Sequence, residues 1–413
     1  MDLRLRARAS LKKKGLFSSS RIKVEDVVAT LIAGAKGTPL EATTSSRKLG
    51  PGRPIAITMH PNAGRIFFIH ADDDDLEIEA KAYTVGPGYH AFLVSILDSM
   101  QSSLGLRWEW ADETGYSHKR DFADLQSRMA KSFREICAGL VKQIHAGGEA
   151  TGAKIFMPAN FCVVAAKDEI FTPFGPITLK QLEDWASIDG AELRKAAAGF
   201  YMWWDQGFGG SFYRGVTLYR LWMDIRWATP LDHDEAELVM GTLRCYAAAL
   251  EHRAELPVPQ PAITELFALI DGNVMRPVAN SHGIGYRRRA WARPVGSNWR
   301  LVMPGSLEPT EEGDNAPQYV FATDGLDIRA SVYVAPSDDE EIRAGVFDGE
   351  ITNDDHEIER LGKTVRVRTL AKTHARGEET DVCFLSVTSS TPELHSLGEQ
   401  IAKTLTYLPD GQV

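Results

Sequence analysis

The chain has 413 residues, of which 44% are hydrophobic and 25% charged, with a net charge of −10; this is the balance of a folded globular protein, long enough for two or three domains of roughly 150 residues each. Wholesale disorder is excluded, and the longest apolar runs, such as AFLVSIL at 91–97, fall short of the roughly 20 residues a membrane helix requires. The basic N-terminus MDLRLRARASLKKKG carries no apolar stretch and no small-residue cleavage site after its charges, so the expectation is a cytoplasmic protein with no secretory signal and no membrane partner.

Charge is unevenly spread. Residues 1–60 hold 12 basic and 4 acidic side chains, 61–275 hold 19 and 30, 276–300 hold six basic and no acidic, and 301–413 hold 9 and 22. An acidic last third favours a basic partner, or simply solubility. Cys137, Cys162, Cys245 and Cys383 are far apart and form no CxxC pair, which fits reduced, buried thiols in a reducing compartment.

In chain order, LRLRARA (3–9) alternates apolar and basic residues and predicts a half-exposed edge strand with Arg4, Arg6 and Arg8 on one face. Ser20 is placed to cap a helix carrying Val24, Val27, Val28 and Leu31, followed by a Gly/Pro/Ser loop over 34–54. IAITM (55–59) and RIFFI (65–69) flank the turn Pro61-Asn62-Ala63-Gly64, and LEIEAKAY (76–83) supplies a third strand. His60 and His70 fall at opposite ends of that hairpin, and the run Asp72–Asp75 lacks a calcium-loop pattern, so the expectation is a solvated turn without a metal. Gly86-Pro87-Gly88 opens a helix to Leu104 with His90 in its first turn; its free N–H groups could receive an anion, although no phosphate-loop spacing accompanies them. A strand at 106–110 and a helix over 121–145 complete an α+β domain, residues 1–165, built as an antiparallel meander with covering helices.

Short strands at 154–164 and 169–176 lead into an aromatic-rich helical region, 166–275, either separate or packed on the first domain. Its centre is Phe200–Trp227, which holds four of the nine tryptophans and in which ten of 28 residues are aromatic; each such ring can remove roughly 150–250 Å² from water, so the segment should anchor a core or an interface. Helices are expected over 211–226, after Asp232 and Glu235 in a capping box, and from Pro261. A boundary falls at 272–285. Beyond it, in 285–413, a period of two marks strands at 285–291, 298–304, 318–322, 327–335, 364–371 and 380–388, then a helix at 392–402 and a short strand.

That order of elements, with Trp299-Arg300-Leu301-Val302-Met303-Pro304-Gly305 early, an acidic loop, long antiparallel strands and a closing helix then strand, resembles the PsbP-like α/β sandwich over about 130 residues. The resemblance implies a fold and an adaptor or assembly role, with no catalytic residues to carry over.

No GxSxG, HExxH, CxxC, P-loop or Rossmann pattern occurs, so neither a cofactor nor a metal is expected. Three sets of side chains remain. His90, Asp112, Glu113 and His118 could assemble a hydrolase site near 89–118. Trp203, Trp204, Asp205, Tyr213 and Arg214 suit a protein-binding hot spot if exposed, or a packed core with Arg214 paired to Asp205. Arg287 and Arg289, with Trp291, interleave phosphate-neutralising and stacking groups, although acidic surroundings weigh against nucleic acid. Together these features predict a bacterial, multidomain, non-enzymatic protein of accessory or immunity type, binding a protein through its acidic C-terminal domain.

Overall fold

The computed structural model describes the whole chain except residues 1–3, 15–18, 49–53, 73–74, 148–151, 159–160, 162, 255–258, 271–282, 312–317, 324, 337–349, 361–362 and 409–413. Cys162 and most of the expected boundary at 272–285 lie outside the described residues. The protein is α+β, with antiparallel sheets in both of its compact units. One unit comprises Met1–Ala159, Ala165–Arg220 and Thr242–Val258; the other comprises Asn160–Val164, Leu221–Gly241 and Pro259–Val413.

The first unit begins with β1 (Arg4–Ser10), the short pair β2 (Lys12–Lys14) and β3 (Ser19–Arg21), and α1 (Val24–Ala35). Ser20 belongs to β3, and α1 starts at Val24 without a side-chain cap. The meander β4 (Ser45–Lys48), β5 (Ile55–Thr58), β6 (Ile66–Asp72) and β7 (Asp75–Lys81) pairs in sequence. After α2 (Pro87–Leu104) comes β8 (Glu109–Asp112), and the sheet order is β4-β5-β6-β7-β1-β8. β1 is therefore an interior strand, contrary to the edge position its charges predict. Its neighbour β7 explains the difference: Arg4 pairs with Glu79 at 3.2 Å and Arg8 with Asp75 at 2.8 Å, so cross-strand carboxylates satisfy the arginine face while Leu5, Ala7 and Ala9 are buried on the other.

Next come α3 (Tyr116–Lys119), α4 (Phe122–Gly147), β9 (Ala153–Lys154), β10 (Glu169–Thr172), β11 (Gly175–Thr178), α5 (Leu179–Ser187), α6 (Gly190–Phe200) and α7 (Gly210–Tyr219). The expected helix over 211–226 changes to a π turn at Arg220–Asp224. α8 (His233–Glu251) starts with the predicted Asp232 cap: Glu235 N–H donates to Asp232 Oδ1 at 2.8 Å, while the return bond to Glu235 Oε2 comes from Leu231 N–H, one residue before the cap, at 2.8 Å. The aromatic segment is divided between the two cores, since Phe200–Arg220 belongs to the first unit and Leu221–Trp227 to the second.

The second unit continues with α9 (Gln260–Ile270) and β12 (Ala290–Val295), β13 (Trp299–Pro304), β14 (Glu308–Glu311), β15 (Gln318–Thr323) and β16 (Leu326–Pro336). It closes with β17 (Glu350–Arg360), β18 (Lys363–Arg376), β19 (Glu379–Ser389), α10 (Pro392–Lys403) and β20 (Thr406–Tyr407). Two sheets result, β12-β13-β20 and β14-β15-β16-β19-β18-β17. Trp299, Leu301 and Met303 from the first, Ile328, Leu385 and Val387 from the second, and Ile401 of α10 share one core. The helix lies so close to the sheet that a Cβ on Gly398 would sit 2.3 Å from Val387 Cγ1, which leaves glycine as the residue that fits. On the same sheet face the register runs Ile328, Val387, Arg368, Asp355 from β16 to β17. The apolar core thus gives way to charge at the last two strands.

Candidate functional site

His90 and Asp112 do meet. His90 Nε2 lies 3.3 Å from Asp112 Oδ2 and 3.2 Å from Thr114 Oγ1. Asp112 also accepts from Thr114 N–H (2.9 Å), Thr114 Oγ1–H (2.7 Å) and Ser117 N–H (2.7 Å), the last from the start of α3. Burial opposes ionisation of Asp112, but the His90 contact and these donors outweigh it and hold the carboxyl well below its usual range. Both side chains are fully buried, and every donor facing Asp112 comes from the protein. The pair is a tie between the first turn of α2 and the end of β8. Glu113 and His118 are exposed and join neither group.

The anion site considered at Gly86-Pro87-Gly88 is taken by protein. Gly88 N–H donates to Trp203 O at 2.9 Å, and a Cβ on Gly88 would lie 2.1 Å from Trp203 Cδ1. Trp203 is fully buried, its indole N–H donates to Gly207 O at 2.7 Å, and Trp204 is nearly buried beside Tyr201. Arg214, with its pKa lowered to about 10 by desolvation, donates to Gly199 O at 3.1 Å. The expected partner, Asp205, is exposed and donates its own N–H to Ser211 Oγ. Tyr213 is half-buried and stacked on His252. The cluster is a core in which a carbonyl takes one donor of the arginine and the buried Nε has no hydrogen-bond partner among the described residues.

A groove opens beside this core, with a volume of about 520 Å³, floored by Phe174, Trp185 and Phe200 and carrying Glu192 and Lys195. It is concave and mainly apolar with few polar groups, as ligand-binding clefts are.

The basic segment is also reorganised. Tyr286–Arg288 is a 3-10 turn, and the strand begins only at Ala290. Arg287 Nε–H donates to Met223 O, Arg288 pairs with Glu265 at 2.6 Å and lies over the Trp227 ring, and Arg289 lies near the Tyr286 ring. Trp291 is buried, donating its indole N–H to Tyr286 O. The strand on which these basic and aromatic groups were expected to interleave is replaced by a turn at Tyr286–Arg288.

Two features of the second unit have little sequence signal. β17 is the edge strand of the six-stranded sheet, and Asp355, His356, Glu357, Ile358 and Glu359 are exposed along it. It has no apolar alternation because one of its edges and much of its side-chain surface face solvent. At its inner corner, Asp355, His395 and Glu399 each direct one ligand-type atom inward, all within 4.8 Å of one another. His395 and Glu399 are four apart on α10, and that spacing was legible; the strand that brings Asp355 to them was not.

No protein-family model matches the chain, and no curated protein matches it. Function must therefore be argued from these surfaces. None of the helices described is long and apolar enough to cross a membrane.

Proposed function

We propose that the protein is a non-enzymatic accessory or immunity-type protein of a bacterial cytoplasm, whose acidic C-terminal unit binds a basic protein segment. The observation that carries this is β17: an edge strand of 11 residues presenting Asp355, Glu357 and Glu359 at the surface. Such an edge repels copies of itself and other acidic strands. A segment rich in Lys and Arg meets complementary charge and a row of backbone donors and acceptors, which is the means by which extended peptides add to sheets. The resemblance to PsbP-like sandwiches belongs to the same proposal, since such domains serve as adaptors. The sealed His90–Asp112 pair gives the hydrolase alternative no support.

The test is affinity capture with the intact chain at low and high salt, comparing wild type with the double variant Glu357→Lys/Glu359→Lys. A basic protein retained by wild type at low salt, released at high salt and not retained by the variant is the expected outcome. Equal retention by both, or retention insensitive to salt, overturns the assignment to β17.

A further inference from the structure

The corner between β17 and α10 brings together three atoms of metal-ligand type, one of them a buried ring nitrogen without a hydrogen-bond partner among the described residues. Ser389 Oγ, at the end of β19, lies 3.2 Å from His395 Nδ1 and 3.5 Å from Arg366 O. With the hydroxyl donating to that carbonyl, its lone pair faces the ring and Nδ1 is the nitrogen that donates. In the neutral ring of that tautomer, Nε2 holds the lone pair. It is buried without a hydrogen-bond partner, on a side chain that is only 8% exposed, and faces Glu399 Oε1 at 3.4 Å and Asp355 Oδ2 at 3.9 Å. Three atoms of metal-ligand type thus converge on one point, all within 4.8 Å of one another, where a cation would offset the two carboxylate charges.

We propose that Asp355, His395 and Glu399 bind a divalent first-row transition-metal ion, with Zn²⁺ as the representative case. One imidazole and two carboxylates form a ligand set suited to such ions more than to Mg²⁺ or Ca²⁺, which take oxygen ligands throughout. Bonds of about 2.0–2.2 Å in a tetrahedral shell place ligand atoms about 3.4 Å apart. The His395–Glu399 separation already matches, and the His395–Asp355 separation needs to close by a few tenths of an ångström.

Two arginines occupy the outer positions. Arg366 donates to both oxygens of Asp355, at 2.7 and 2.5 Å, and Arg368 donates to Glu399 Oε1. Each carboxylate oxygen has a second lone pair, and hydrogen-bonded carboxylates are the normal surroundings of a metal ligand. Their positive charge also opposes a dication, which points to moderate affinity. Three protein ligands leave a fourth position for water or for a group from a partner. Because the ligands come from β17 and α10, the ion would fasten the edge strand to the helix. The inference does not rest on the binding role proposed for β17.

The test uses the full-length, tag-free chain titrated with Zn²⁺, read by calorimetry and by thermal unfolding, with Ca²⁺ and Mg²⁺ as comparison ions. Wild type should bind one equivalent that His395→Gln lacks, with a rise in Tm on adding Zn²⁺ that is absent in the variant. Asp355→Asn, at an exposed position, should weaken that equivalent at least ~10-fold while keeping the wild-type circular dichroism spectrum, which separates ligand loss from misfolding. His118→Ala, at an exposed histidine outside the cluster, should bind as wild type does. An equivalent that survives in both His395→Gln and Asp355→Asn overturns the assignment, as does failure of wild type to bind Zn²⁺ at all.

Discussion

Two of the histidine–carboxylate groups, one from each unit, use the same residue types and differ in what surrounds the carboxylate. Asp112 receives two backbone N–H groups and a threonine hydroxyl in addition to His90, and both side chains are sealed from solvent. Asp355 and Glu399 receive only arginine side chains in the contacts described, stand at a sheet edge, and face a ring nitrogen with no hydrogen-bond partner. Saturation by main-chain donors makes a structural tie, because the lone pairs are already used and the geometry is fixed by β8 and α3. Ligand-type atoms that face one another across a corner, as Asp355, His395 and Glu399 do, are the basis for the site proposed there. His60 completes the series as a buried histidine with no carboxylate partner among the described residues, lying between Tyr89 and Phe212.

The largest effect should come from opening the closed tie. Asp112→Ala removes the acceptor for three donors and leaves His90 alone in the interior, and breaking a buried pair in this way costs about 3–5 kcal/mol. Denaturant unfolding of the variant measures it; a loss under about 1 kcal/mol would place Asp112 with surface pairs and remove the contrast. Next in size is the pH response of His60. Burial first, and then the positive charge of Arg220, lower its pKa to about 3. The unfolded chain takes up this proton below about pH 6.5, whereas the folded chain does so only near the lowered value. Stability attached to this group is therefore complete above that pH and falls as pH drops, by about 1.4 kcal/mol per unit at most. His60→Gln should flatten the stability curve across pH 6 to 4 relative to wild type; identical slopes would show that the ring is hydrated. A smaller loss, about 1 kcal/mol, is expected for Thr114→Val, which keeps the shape and removes one of the donors to Asp112.

The contrast between the two groups was only partly legible in the sequence. The α+β class, the meander from Ile55 to Lys81, the Asp232 cap and the terminal helix followed from local periodicity and turn residues, because those elements are specified by neighbours in the chain. His90 and Asp112 were singled out together since both lie near element ends. That their contact would be sealed was not legible, because two of the three donors that seal it are main-chain groups, which have no sequence signal. The aromatic run showed that a core was present and could not show that Arg214 would choose the Gly199 carbonyl over Asp205, a choice made by tertiary packing. The strand expected at 285–291 failed because the Tyr286–Arg288 turn is held by long-range contacts of its arginines. β17 went unnoticed for the opposite reason: an edge strand made of acidic residues lacks the apolar alternation by which strands are recognised, and the site at its corner depends on it.

The smallest expected effect on stability is the one that separates the groups most sharply. Asp355 is exposed, and Arg366 holds its carboxyl below the usual range through a hydrogen bond and an opposing charge. Exposed pairs of this kind contribute about 0.2–1 kcal/mol, because water screens them and two long side chains must be held in place. Without added metal, Asp355→Asn should therefore unfold within about 1 kcal/mol of wild type, several times less than Asp112→Ala, and added salt should shrink the difference further. A loss as large as that of Asp112 would mean that the corner of β17 is part of the structural core, with its carboxylate committed to the fold. A small loss leaves that carboxylate available, which is the condition for any ligand to compete with Arg366 for its second lone pairs.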